Sequence, residues 1–106
     1  MTNEILSWWQ SFLTRRRANK IAAAELDECW MKVRAKAARL TPAEVPDYIR
    51  QNSGALVHRH VDTLVRENPS IDARSANRLI VKATDRLARR ILQRLAKQTR
   101  RLPRAG

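Results

Sequence analysis

The chain has 106 residues, with 22 Lys and Arg against 10 Asp and Glu, a formal net charge of +12, and only 2 glycines, 4 prolines and 1 cysteine. This length supports one domain, 1–106, with a thin core, and excludes a large enzyme with a separate cofactor domain; the single cysteine excludes an internal disulfide framework, and no apolar run approaches the roughly 18 residues of a bilayer-spanning helix. Little Gly, abundant Ala, Leu, Arg and Lys, and no useful strand alternation predict an all-α fold, a small bundle of four or five helices ending in a long basic amphipathic one.

The first segment, 1–17, reads as an aromatic amphipathic helix. Between about Asn3 and Thr14, the side chains of Ile5, Leu6, Trp8, Trp9, Phe12 and Leu13 gather on one broad side of a helical wheel. Ser7, Gln10, Ser11 and Thr14 take the other side. The apolar side either packs on the body of the domain or, with Arg15, Arg16 and Arg17 directly behind it, docks Trp8, Trp9 and Phe12 on a partner or a membrane surface. It does not read as a secretory signal, because the basic residues follow the apolar part instead of preceding it. In the second segment, 18–40, Ala22, Leu26, Cys29, Trp30, Val33, Ala37 and Leu40 form one helical stripe. Cys29 lies inside that stripe and reads as a small buried hydrophobe, not a nucleophile.

Residues 41–67 are expected to form a helical hairpin. Thr41 as N-cap, Pro42 at the first helical position and Glu44 completing a capping box make a good helix start. Val45, Tyr48, Ile49 and Leu56 share one face, whereas Val57, Val61, Leu64 and Val65 lie about a quarter-turn away. That slip coincides with Asn52-Ser53-Gly54, so the pattern predicts helices over 43–51 and 55–67 with a turn between them. Leu40-Thr41-Pro42-Ala43-Glu44-Val45, Ile49, the Asn52–Gly54 turn and the helix from Ala55 resemble a helix-turn-helix unit of the excisionase type, over about 25 residues. Pro46 departs from that pattern, and Ala55-Leu56-Val57-His58-Arg59-His60 is poor in base-reading side chains.

The last segment, 70–102, is the most regular. Ser70 or Asp72 starts it, and a helix from Asp72 to Arg101 is on the order of 45 Å long. Ile80, Thr84, Leu87, Ala88, Ile91, Leu95 and Leu102 form one face. The opposite half carries Arg74, Arg78, Lys82, Arg86, Arg89, Arg90, Arg94, Lys97, Arg100, Arg101 and Arg104. Residues 74–106 hold 11 basic side chains and one acid, Asp85, a net of +10; the 73 residues before them hold 11 and 9, a net of +2. The tail Arg100–Gly106 reads as frayed.

Like charges at i,i+4 weaken a helix by a few tenths of a kcal/mol per pair, and Glu or Gln would solvate the same face without that strain. A polyanion relieves it. Duplex nucleic acid presents about one phosphate charge per 1.7 Å, and each phosphate neutralised releases counterions. Nine arginines to two lysines in this segment favour bidentate phosphate contacts. The expected function is therefore non-catalytic binding of nucleic acid, DNA or RNA, through its phosphate backbone. The contacts are Arg74, Arg78, Lys82, Arg86, Arg89, Arg90, Arg94, Lys97 and Arg101, with a secondary site at Arg15, Arg16, Arg17 and Lys20. In size, charge and helical class the chain is similar to the small helical subunits of CRISPR surveillance complexes, which implies a subunit lining a nucleic-acid path and assigns no individual residue. The alternatives are a protein-interaction module and a peripheral membrane-surface protein, each docking through Trp8, Trp9 and Phe12. A protein partner or homodimer would give the long apolar faces more cover. No catalytic residue, cofactor or small-molecule substrate is evident, and the expected location is the cytoplasm. His58 and His60 are two apart and point to different sides of a helix, so they do not share a metal. His58 and Asp62 have the spacing of a surface hydrogen bond.

Overall fold

A computed structural model describes residues 2–101, with the side chains of 4–6 and 8–98. The described residues form three helices, α1 (Thr2–Ala37), α2 (Val45–Glu67) and α3 (Ala73–Arg101), with no strand among them. The fold is all-α. Tyr48 of α2 meets Lys36 of α1, Ser53 meets Cys29, and His60 meets Glu25, so α2 runs back along α1. Leu13, Thr14 and Arg17 of α1 share a recess with Ser75 and Leu79 at the start of α3, and at the other end Arg34 and Ala37 of α1 and Val45 of α2 share one with Leu92 and Leu95, so α3 runs parallel to α1 and antiparallel to α2.

The three helices share one core. Ala18, Ile21, Ala22, Cys29, Trp30, Val33 and Ala37 come from α1; Ile49, Leu56, Val57 and Val61 from α2; Leu79, Ala83, Leu87, Ala88 and Ile91 from α3. Of the stripe expected over 18–40, Ala22, Cys29, Trp30, Val33 and Ala37 are buried and Leu26 is partly buried, whereas Leu40 lies beyond the end of α1 and is half-buried. On α3 the buried arc is centred nearer Leu79 and Ala83 than expected, leaving Ile80, Thr84 and Leu95 half-buried. Leu102 and Arg104 lie outside the described residues.

The helix count corrects the expectation of four or five. No boundary follows residue 17: no Gly or Pro stands between 2 and 37, and the Arg15–Arg17 run and Ala18 are good helix formers, so two predicted segments are one rod. Nor is there a turn at Asn52–Gly54. Ile49, Ser53, Leu56, Val57 and Val61 form one continuous buried stripe in α2, so there is no hairpin and no helix-turn-helix. Ser53 is the missing step: it is 0% exposed, and its Oγ lies 3.6 Å from Cys29 Sγ. Gly54 stays helical beside Thr84, whose methyl a Cβ at Gly54 would meet at 3.7 Å, an ordinary contact.

A side-chain carboxylate orders the chain at the start of each later helix, and that of Asp72 caps a helical N–H. Glu44 accepts from the Thr41 backbone N–H at 3.1 Å and from its hydroxyl at 2.8 Å. This is half of the expected capping box, because the Thr41 hydroxyl turns to Glu44 rather than to a helical N–H. It closes a turn ahead of α2, so α2 starts at Val45 with Pro46 in its first turn. Asp72 caps α3, accepting from the Ser75 N–H at 2.7 Å.

Candidate nucleic-acid interface

α3 is unbroken over its 29 residues. On its basic side Arg74, Arg78, Lys82, Arg89, Arg94 and Lys97 are exposed, and Arg86 and Arg90 are half-buried. Two of these cations meet carboxylates. Arg89 pairs with Asp85 at 3.1 Å, an acid that Arg50 also approaches at 3.7 Å. Arg94 lies 3.8 Å from Asp27 and stacks over the buried Trp30 ring at 4.5 Å. Among the described residues, Arg74, Arg78, Lys82, Arg86, Arg90 and Lys97 have no carboxylate at ion-pairing distance. The side chain of Arg101 lies outside those described.

The start of α3 is electrostatically unusual. Its first turn carries no acid, whereas Arg74 and then Arg78 stand where the helix macrodipole is positive. Among the described residues, the capping Asp72 opposes them. The Ser75 N–H holds the Asp72 carboxyl below the usual carboxylate range, helped by the charges of Arg74 and Arg78.

Packing unites the two basic clusters. Arg15, Arg16, Arg17 and Lys20 are all exposed on α1. A groove between α1 and α3 is lined by Phe12, Arg15, Arg16, Asn19 and Arg86. Nearby, Arg17 and Arg78 line a second recess with Leu13, Thr14, Ser75 and Leu79. The supposed secondary site is therefore continuous with the first half of the α3 stripe. Lys97 and the Arg94–Trp30 contact belong to the other end of the molecule. A parallel packing of α1 on α3 was the missing information, and no local pattern in the sequence carries it.

The aromatic segment is not core. Ile5, Leu6, Trp8, Trp9 and Phe12 are 69%, 55%, 61%, 50% and 37% exposed. Their rings pack on one another: Trp8 and Phe12 at 5.9 Å and 16°, Trp9 and Phe12 at 5.8 Å and 25°, Trp8 and Trp9 at 6.4 Å. At about 1.5 Å per residue, α1 is about 54 Å long and α3 about 44 Å. Leu13, Thr14 and Arg17 line one recess together with Ser75 and Leu79, which places the start of α3 alongside the fourth turn of α1. The first turns of α1 thus outrun both neighbours, and packing on the body is not what this apolar side does.

The remaining candidates are structural. His58 Nδ1 lies 3.6 Å from Asp62 on the surface, longer than a hydrogen bond. His60 instead meets Glu25 at 2.9 Å, and Arg59 meets Glu28 at 2.7 Å, clasping α2 to α1 across 35 and 31 residues. Sequence reading missed both clasps, which depend on tertiary packing. Burial pushes the Cys29 thiol up, keeping it protonated and unreactive at neutral pH. No cluster of His, Cys, Asp or Glu among the described residues is arranged to hold a metal, and no described helix is long and apolar enough to cross a membrane.

Fold and site together define a three-helix bundle with one overhanging helix and a cationic α1–α3 face. Comparison with family models, curated proteins and solved structures finds no match to this chain.

Proposed function

We propose that the protein is a non-catalytic nucleic-acid-binding protein, a subunit of a nucleoprotein assembly, that grips the phosphate backbone with its α1–α3 face. One observation carries this reading: Arg15, Arg16, Arg17, Arg74, Arg78, Lys82 and Arg86 lie on adjoining surfaces and have no carboxylate at ion-pairing distance among the described residues. Folding does not require that arrangement. Cations at the positive end of α3 and beside one another each cost a fraction of a kcal/mol. A row of phosphates reverses the sign of each of those interactions and releases condensed counterions. The cytoplasm, where nucleic acid is at hand, is the corresponding location.

The test is a variant with Arg74, Arg78, Lys82 and Arg86 all changed to Gln. None of these residues forms part of the core, so the fold is retained. The variant binds mixed-sequence DNA or RNA at least about tenfold more weakly at low salt, because each lost contact removes counterion release. Unchanged affinity in a folded variant contradicts the proposal.

A further inference from the structure

We infer that the strand bound is single-stranded: Trp8, Trp9 and Phe12 form a stacking platform for unpaired bases, and the groove of Arg15, Arg16 and Arg86 carries the adjoining phosphates. This rests on the phosphate-binding reading above and adds the chemical class of the ligand. The platform and the groove are physically joined, because Phe12 both stacks on Trp8 and Trp9 and lines the groove with the arginines. Flat rings next to cations are the two components with which proteins hold unpaired nucleotides: ring faces take bases and guanidiniums take the backbone. The scale also suits one strand. Packed helices lie about 8–10 Å apart, so the furrow between α1 and α3 is far narrower than a duplex.

Other occupants fit less well. A second copy seated on this face would bring Arg15, Arg16 and Arg86 against their own counterparts, in a chain of net charge +12. An interfacial membrane helix carries its Lys and Arg on the polar face of the inserted segment. Here the polar side of that segment holds Glu4, Gln10, Ser11 and Thr14, and residues 4–14 contain no Lys or Arg.

The experiment compares the full chain with a triple variant, Trp8→Ala, Trp9→Ala and Phe12→Ala, whose side chains lie outside the core. The probes are a dT oligomer, a mixed-sequence duplex of equal length, and vesicles of phosphatidylserine and phosphatidylcholine. The native chain binds the dT oligomer more tightly than the duplex, with quenching of tryptophan fluorescence. The triple variant loses at least about tenfold for the oligomer and less than about threefold for the duplex. Unchanged oligomer affinity in the triple variant, or equal losses for oligomer and duplex, overturns the platform while leaving phosphate binding in place. Vesicle binding with blue-shifted tryptophan emission, lost in the triple variant while oligomer binding is kept, assigns the rings to a membrane and also overturns it. If the native chain binds neither nucleic acid at low salt, the phosphate-binding reading fails as well.

Discussion

The two halves of α1 make an instructive pair. Residues 18–37 bury Ala18, Ile21, Ala22, Cys29, Trp30, Val33 and Ala37 in the shared core. Residues 4–12 carry large apolar side chains more densely, Ile5, Leu6, Trp8, Trp9 and Phe12, and leave them in solvent. Burying a large apolar side chain is worth about 1.5–3 kcal/mol, so hydrophobicity alone would rank the first half as the better core. The outcome is reversed because α2 and α3 extend alongside only the second half. Amphipathic pattern identifies the side of a helix that avoids water; the lengths and directions of its neighbours decide whether anything covers that side. An uncovered aromatic side next to arginines that meet no carboxylate among the described residues is then a feature that folding does not require, and the proposed binding role builds on it.

Substitutions can break or sharpen this contrast. The largest effect belongs to the core: Leu87→Ala costs about 2–5 kcal/mol in denaturant unfolding, because Leu87 is fully buried. Trp9→Ala, although it removes far more side chain, stays within about 0.5 kcal/mol of the native chain. A comparable loss for Trp9→Ala would mean that the overhang is packed. Next comes Gly54→Ala, which stabilises by about 0.5–1 kcal/mol, since alanine favours the helix and its Cβ meets Thr84 at an ordinary distance. Destabilisation would restore the turn at Asn52–Gly54. The smallest effect is acid dependence. The Asp72 carboxyl is held below its ordinary range by the Ser75 N–H, and that of Glu44 by the Thr41 hydroxyl and N–H. A carboxylate depressed in the folded state contributes stability that is complete above its unfolded pKa and is lost as pH falls through the folded one. The Asp72 cap of α3 and the Glu44 bonds that close the turn ahead of α2 are therefore intact at neutral pH and weaken in acid. Asp72→Asn, which keeps an acceptor but does not titrate, flattens the acid side of the Tm profile slightly; an unaltered profile removes Asp72 from the account.

Much of the architecture was legible because it rests on local pattern. The helical class, the buried stripe from Ala22 to Ala37 and the Asp72 start of α3 follow from periodicity and capping chemistry. The errors came from residues whose role depends on neighbours in space. Ser53 and Gly54 read as turn residues until Cys29 and Thr84 are seen beside them. Arg15–Arg17 read as a break and a minor cluster until α1 is laid parallel to α3. At the candidate site the charged residue types were visible in the chain, but the joining of Phe12, Arg15, Arg16 and Arg86 was not, because 70 residues separate Arg16 from Arg86.

The most direct test of the central claim is the salt dependence of binding, measured for the native chain and for the variant with Gln at 74, 78, 82 and 86. If the α1–α3 face holds phosphates, log affinity of the native chain for an oligonucleotide falls linearly with log salt with a slope of several units. The variant's slope is then shallower by about 0.7 per lost contact on a single strand. A native slope near zero, or identical slopes for the two proteins, contradicts the account.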